Sequence, residues 1–255
     1  MLKSGFIIGS LESPKKMKTQ NKILHALGLI IFFTSAIFGM FFFTSLSWAN
    51  LEASFYFGFN GGAETKLRLI CPHIMTSQDN GSVTAIVTNK VEKTISPIFQ
   101  ADISGPVLRT IRTQPSIEPG KTQQIKWEIG VDDVDYSHLI MAQVYQFSSY
   151  KTSTATATCG TLFLNLPGLT GLQVYILALV LSLLGIAVGF VLWLFSNRPF
   201  QGRSLQQLWG MIFFASIVLM GILFGSLGQW ILGLFALVIS VLLFVALIGR
   251  QFMSS

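Results

Sequence analysis

The sequence predicts a membrane protein with four transmembrane α-helices and one extracytoplasmic, all-β, immunoglobulin-like sandwich domain inserted between helices 1 and 2. Three long stretches contain no charged residue, and a polar block of about 100 residues separates the first two of them. Long uncharged apolar stretches are typical of membrane-spanning helices, because lipid offers the backbone no hydrogen-bond partner. Within the polar block, polar and apolar residues alternate with a period of two, which is typical of half-buried strands.

The distribution of charge supports this division of the chain. Hydrophobic residues make up 51% of the sequence and charged residues only 11%, whereas soluble domains carry about 25%. The segments outside the polar block hold eight basic residues and one acidic residue, a net charge of +7, while residues 52–151 hold nine basic and ten acidic residues, a net charge of −1. The overall charge of +6 therefore comes from short segments that flank the membrane, which argues against nucleic acid as a partner.

The first uncharged stretch, between Lys22 and Glu52, predicts a transmembrane helix over residues 23–48. Several lysines precede it, and basic residues flank spans on the cytoplasmic side. We therefore expect residues 1–22 to be cytoplasmic and the polar block to lie on the opposite side of the membrane. Two alternatives stay open: removal of this segment as a signal peptide after Ala49, and a true start at Met17.

The remaining uncharged stretches predict three more helices. The stretch that ends before Arg198 returns the chain to the cytoplasm, and the 46-residue stretch before Arg250 is long enough for two helices. A turn at residues 225–229 divides that last stretch. The predicted spans are residues 172–196, 205–224 and 230–248, followed by a cytoplasmic C-terminus at residues 249–255.

Residues 60–165 form the predicted sandwich. Ile125, Trp127 and Ile129 alternate with polar residues, and turn signals such as Asn80-Gly81 and Pro119-Gly120 separate about seven such segments. That many short strands in about 100 residues predict an immunoglobulin-like sandwich.

The segment Ser116-Ile117-Glu118-Pro119-Gly120-Lys121, with the strand that follows it, resembles a hairpin of bacterial extracytoplasmic Ig-like domains of the cell-adhesion-related (CARDB) kind. The resemblance covers residues 66–163. The resemblance implies the fold of this domain and says nothing about its activity.

The two cysteines, Cys71 and Cys159, are both predicted to lie on the extracytoplasmic side and to point into the sandwich from its first and last strands. Oxidising compartments keep disulfides, so we expect the pair to be bonded. A metal site is a less favoured alternative. Its copper ligands would come from Cys71, His73, Met75, His138 and Met141, and calcium ligands from Asp132, Asp133 and Asp135.

Two pairs of glycines, Gly185 with Gly189 and Gly221 with Gly225, have the four-residue spacing that lets membrane helices approach closely. They would pack against helices of this chain or receive helices of a partner. The spans contain no Asp, Glu, Lys or Arg, which disfavours a transport pathway.

No nucleophile elbow, zinc-protease motif or phosphate loop occurs in the sequence. We therefore expect a non-enzymatic membrane protein without a cofactor, whose partners are membrane lipids and other membrane proteins and which serves as an accessory or assembly subunit. The alternative is an anchored extracytoplasmic module that binds a small ligand, a glycan or a metal.

Overall fold

The computed structural model describes residues 14–58, 65–147, 153–198 and 203–252. Within these residues, one helix precedes nine strands, and three helices follow them. The helices are α1 (Pro14–Tyr56), α2 (Gly171–Ser196), α3 (Arg203–Ser226) and α4 (Trp230–Phe252). The strands are β1 (Thr65–Lys66), β2 (Arg68–Ile70), β3 (Ile74–Thr76), β4 (Gly81–Thr88), β5 (Phe99–Ile103), β6 (Arg109–Thr113), β7 (Thr122–Ile129), β8 (Leu139–Gln146) and β9 (Ala155–Leu164).

All four helices contain segments that are long and apolar enough to cross a membrane. The number agrees with the sequence prediction, and α2, α3 and α4 begin within two residues of the predicted starts. The turn between α3 and α4 falls at residues 227–229, inside the predicted turn, where Gly228 adopts a positive φ of 69°. Thr170 caps α2, since its hydroxyl accepts a hydrogen bond from the Gln173 backbone N–H.

The first helix differs from its prediction, because α1 continues past residue 48 to Tyr56. Its apolar segment, Lys22–Tyr56, has 35 residues and is therefore about 50 Å long, against about 30 Å for the hydrocarbon core of a bilayer. The end of the span was predicted from the charge at Glu52. The helix continues because the small residues Ala49 and Ala53, both buried, pack against a sheet.

The strands form two sheets. The larger has the order β1-β9-β8-β5-β6, with β3 also pairing with β9, and the smaller has the order β2-β4-β7. Residues from both sheets share one buried core that includes Val83, Trp127, Phe99 and Val144, so the sheets pack face to face. Period-two alternation in β7 matches its burial, since Ile125, Trp127 and Ile129 are buried between exposed neighbours.

The predicted disulfide is confirmed. Cys71, directly after β2, is bonded to Cys159 in β9, with 6.4 Å between the two Cα atoms. The bond joins the small sheet to the large one across the core, and the two cysteines are 88 positions apart in the sequence.

The four predicted glycines lie at contacts between helices of this chain. A Cβ at Gly185 would overlap Ser35 of α1, and one at Gly189 would overlap the backbone of Phe32. Gly225 has the Phe43 carbonyl 2.6 Å from its Cβ position, and Gly221 faces Ala236 of α4. The helix faces that carry these glycines are therefore in contact with other helices of the same chain. This does not support the alternative in which they bind the helices of a partner.

Candidate functional site

The end of α1 lies on the outer face of the large sheet and joins the sandwich to the helices. Its closest approach is at Gly160 of β9, where a Cβ would overlap the backbone carbonyl of Ala49. The Asn50 side-chain oxygen accepts a hydrogen bond from the Gly160 backbone N–H at 3.1 Å. One turn further on, the Ser54 hydroxyl lies 3.4 Å from that of Thr158. Only glycine in the strand lets the helix backbone come this close.

Apolar contacts accompany these polar ones. Ala49 and Ala53 of α1 are buried together with Leu139 and Met141 of β8, and Phe57 packs on their edge. Small residues on the helix and large ones on the strand produce a close fit, and both helix alanines are fully shielded from solvent. The contact therefore holds the sandwich at a defined angle to α1.

A second attachment joins the sandwich to α2. The Asp79 carboxylate accepts hydrogen bonds from the Gly171 backbone N–H at 2.7 Å and from the Thr76 backbone N–H at 2.8 Å. The Thr76 hydroxyl donates to the Leu169 carbonyl, also at 2.7 Å. Gly171 is the first residue of α2, and a carboxylate is favoured at a helix N-terminus because it balances the helix dipole.

Replacing Asp79 with alanine should loosen the start of α2. The change removes two charge-assisted hydrogen bonds, one from Gly171 at the N-terminus of α2 and one from Thr76 in β3, and we expect a loss of about 1 to 2 kcal/mol of stability. The check is chemical unfolding of the detergent-solubilised protein, with hydrogen exchange of the first turn of α2. Asp79→Asn keeps an acceptor oxygen and should therefore lose less stability than Asp79→Ala. If both variants are as stable as the native protein, this role of Asp79 is wrong.

A third attachment is made by His73, between the disulfide and β3. Its ring stacks on Tyr175 of α2, with 6.0 Å between the ring centroids and an angle of 22°. The backbone of Ser226, at the end of α3, lies near enough to the imidazole to act on its pKa. Cys71, Leu172 and Tyr175 are among the residues that line a pocket of about 310 Å³ beside it. His73 thus contacts α2 and lies beside the end of α3.

Stability should fall in mild acid because of His73. Burial lowers the pKa of its imidazole below the ordinary value of 6.5, despite the opposing effect of the Ser226 backbone, which favours the protonated ring. The unfolded chain then binds a proton more readily than the folded one, so this contribution is present above about pH 6.5 and is lost as the pH falls through the folded pKa. We expect His73→Gln to reduce the difference in melting temperature between about pH 7.5 and pH 5.5. The same change at the exposed His138 is the control, and an identical effect of both variants would refute the attribution.

The acidic residues after β7 take part in the sandwich itself. Asp133 is buried, accepts a hydrogen bond from Arg109 at 2.8 Å and one from the Gly130 backbone N–H at 2.9 Å. Asp135 accepts from the backbone N–H of Tyr136. Two of the three carboxylates that the calcium alternative required, those of Asp133 and Asp135, therefore accept hydrogen bonds within the domain. Among the described residues, no group of three or more His, Cys, Asp or Glu side chains could hold a metal ion.

The residues of the copper alternative are not brought together either. Cys71 is in the disulfide, Met75 lies in the sandwich core, and Met141 lies on the opposite face of the large sheet beneath α1. The thiolate that such a site needs is therefore missing.

A cleft of about 720 Å³, lined by both polar and apolar residues, opens at one end of the sandwich. Arg109 lines it and donates to the Glu128 carbonyl at 2.7 Å as well as to Asp133. Its lining residues are Asn80, Pro106, Val107, Arg109, Glu128, Ile129, Gly130, Asp132 and Asp133.

The sequence prediction did not identify Gly160, Asn50 or Asp79 as residues of the junction. Gly160 carried a usable signal, because an isolated glycine in a strand marks a close backbone approach. Asp79 carried none, since its partner Gly171 is 92 positions away.

No family model and no curated protein matches this chain. Among solved structures it is similar to the crystal structure of Bacteroides uniformis beta-glucuronidase, with 18% sequence identity and a TM-score of 0.30. The similarity covers 38% of this chain and 13% of that chain. A likeness at this level carries no argument about fold or activity.

Proposed function

We propose that the chain is an integral membrane protein whose four helices span the membrane, with both termini in the cytoplasm and the sandwich on the opposite side. Three observations support this topology. The helices have the length and hydropathy of spans, the basic residues outside the sandwich flank them, and the sandwich carries a disulfide.

We also assign the sandwich to the immunoglobulin-like class. A sheet of order β2-β4-β7 packs on one in which β9, β8, β5 and β6 are neighbours, and β9 is flanked by parallel pairing with β1 and β3. A disulfide that joins the two sheets is another feature of many such domains.

The function that the geometry supports best is non-enzymatic: the protein is an accessory or assembly subunit that binds other membrane proteins through its sandwich. The observation that carries this proposal is the threefold attachment of the sandwich, by α1 at Gly160, by Asp79 at the start of α2 and by the stacking of His73 on Tyr175 of α2. A domain held in this way presents its surface at a fixed height and angle. Binding to such a surface costs little ordering entropy.

Purification in mild detergent tests the proposal. The native protein should be recovered with partner subunits at a fixed stoichiometry. Gly160→Leu, which forces α1 away from β9, should reduce the recovered partner, whereas Gly130→Ala should not, because no atom lies within 4 Å of its Cβ position. A native protein that purifies as a clean monomer would contradict the proposal.

The cleft favours a second candidate, an anchored module that binds a small ligand, a glycan or a metal. It is large enough for a small molecule, and Arg109, Glu128 and Asp132 line it. Melting of the full-length protein with panels of glycans, amines and divalent metals, together with metal analysis, separates the two candidates. Only the second candidate predicts a ligand-dependent rise in melting temperature.

A further inference from the structure

Four exposed apolar residues lie together on two neighbouring loops of the sandwich, and we name them the apolar tip: Pro106, Val107, Leu108 and Val131. Val107 is 82% exposed, Val131 59% and Leu108 48%. The two loops are in contact, because the Asp132 carbonyl lies 3.1 Å from the Cβ position of Gly105. Scattered apolar residues are normal on a surface, but a group of them at the end of adjacent loops is typical of a contact surface.

The apolar tip lies at the end of the sandwich where α2 begins. Asn80 lines the same cleft as Pro106 and Val107, and its neighbour Asp79 is bonded to Gly171, the first residue of α2. The opposite end is different in composition. Its loops are held together by the bonds of Asn89 to Lys121 and Ile95 to Ile117, and they carry the charged residues Lys90, Glu92, Lys93, Glu118 and Lys121.

The charges in and around the apolar tip favour contact with a surface that has no net charge. Residues 104–108 contain no charge, and the guanidinium of the next residue, Arg109, is paired with Asp133 at 2.8 Å. The exposed Asp132 and Glu128, which line the cleft beside the tip, add negative charge, which disfavours a strongly anionic surface. A zwitterionic lipid surface meets both conditions.

We propose that the apolar tip inserts into the boundary between the headgroups and the acyl chains of the lipid around α2. This proposal rests on the proposed function, because it requires that α2 spans the membrane. Loop residues at this depth bury apolar surface and avoid charge, as interfacial segments do. The lipid contact then supports the sandwich on the side of α2, in addition to its protein attachments.

The experiment places an environment-sensitive nitrobenzoxadiazole label on single introduced cysteines of the full chain, reconstituted in phosphatidylcholine nanodiscs. Three sites are used: Val107→Cys in the tip, Lys121→Cys at the far end and Leu181→Cys on the exposed face of α2. Both native cysteines are in the disulfide, so the label is directed to the introduced thiol. Quenching by lipids with nitroxides on the headgroup or the acyl chain reports contact with the bilayer.

The proposal predicts quenching at positions 107 and 181, and at least about twofold less quenching at position 121. Quenching at 181 alone would overturn the tip insertion and leave the spanning topology intact. A label at 107 that is shielded from water but not quenched by lipid would also overturn it, in favour of a protein partner. Absence of quenching at 181 would contradict the proposed function and the tip insertion together.

Discussion

Replacing both Cys71 and Cys159 with alanine is expected to lower the stability of the sandwich by about 4 to 5 kcal/mol, because a closed loop of nearly 90 residues restricts the unfolded chain. A change of this size is about a third or more of the stability of a typical domain. We expect the melting temperature of the sandwich to fall by more than about 10 °C. Thermal unfolding in detergent, followed by near-ultraviolet circular dichroism, measures the loss.

Reduction of the native protein provides the matched control for the disulfide prediction. Under denaturing conditions, reduction and alkylation should add two alkyl groups to protein taken from its native compartment, and alkylation without reduction should add none. A double alanine variant that melts within about 2 °C of the native protein would contradict the stabilising role, since even a 1 kcal/mol loss shifts a domain of this size by more.

Replacing Gly160 with leucine has the second largest expected effect, a loss of about 2 to 3 kcal/mol. Even the Cβ of the new residue would overlap the Ala49 carbonyl, and the rest of the side chain would enter the contact between α1 and the large sheet. The overlap is with backbone atoms, which cannot move aside as the end of a flexible side chain can. We expect α1 to separate from β9 and the hydrogen bond from Gly160 to Asn50 to break, which urea unfolding and hydrogen exchange of residues 49–56 would detect.

The control for Gly160 is Gly130→Ala, which adds a Cβ in open space at a φ of −151° that any residue adopts. Gly160→Ala should give an intermediate loss, because it introduces the backbone overlap without the larger side chain. If Gly160→Leu unfolds at the same urea concentration as the native protein, the contact between helix and sheet does not contribute to stability as described.

Much of the fold could be predicted from local signals in the sequence. The uncharged stretches indicated the four helices, because the cost of a charge in lipid leaves a pattern that extends over 20 residues or more. Alternation indicated β7 and β9, and the restriction of both cysteines to the polar block indicated their pairing. The short strand β3 was not predicted, because its three residues are all buried and therefore show no alternation of polar and apolar residues.

The junction could not be predicted, because its contacts join residues far apart in the chain. Asn50 and Gly160 are 110 positions apart, and Asp79 and Gly171 are 92 positions apart. The end of α1 was predicted too early for a related reason. Its last turns are stabilised by packing on Leu139 and Met141, and a tertiary contact of this kind overrides the local signal of a charged residue.

The central claim is that the sandwich is held rigidly on the helices, and a distance distribution tests it most directly. Spin labels at Lys126→Cys on β7 and Leu227→Cys in the α3–α4 turn, measured by pulsed electron paramagnetic resonance in nanodiscs, report the range of distances between the sandwich and the helices. The reference is a pair of labels within the sandwich, at Lys126→Cys and Glu92→Cys. In the native background, the distances between sandwich and helices should form a single distribution no wider than this reference. In the Gly160→Leu background the distribution should be broader. A broad or multiple distribution in the native background would contradict the account.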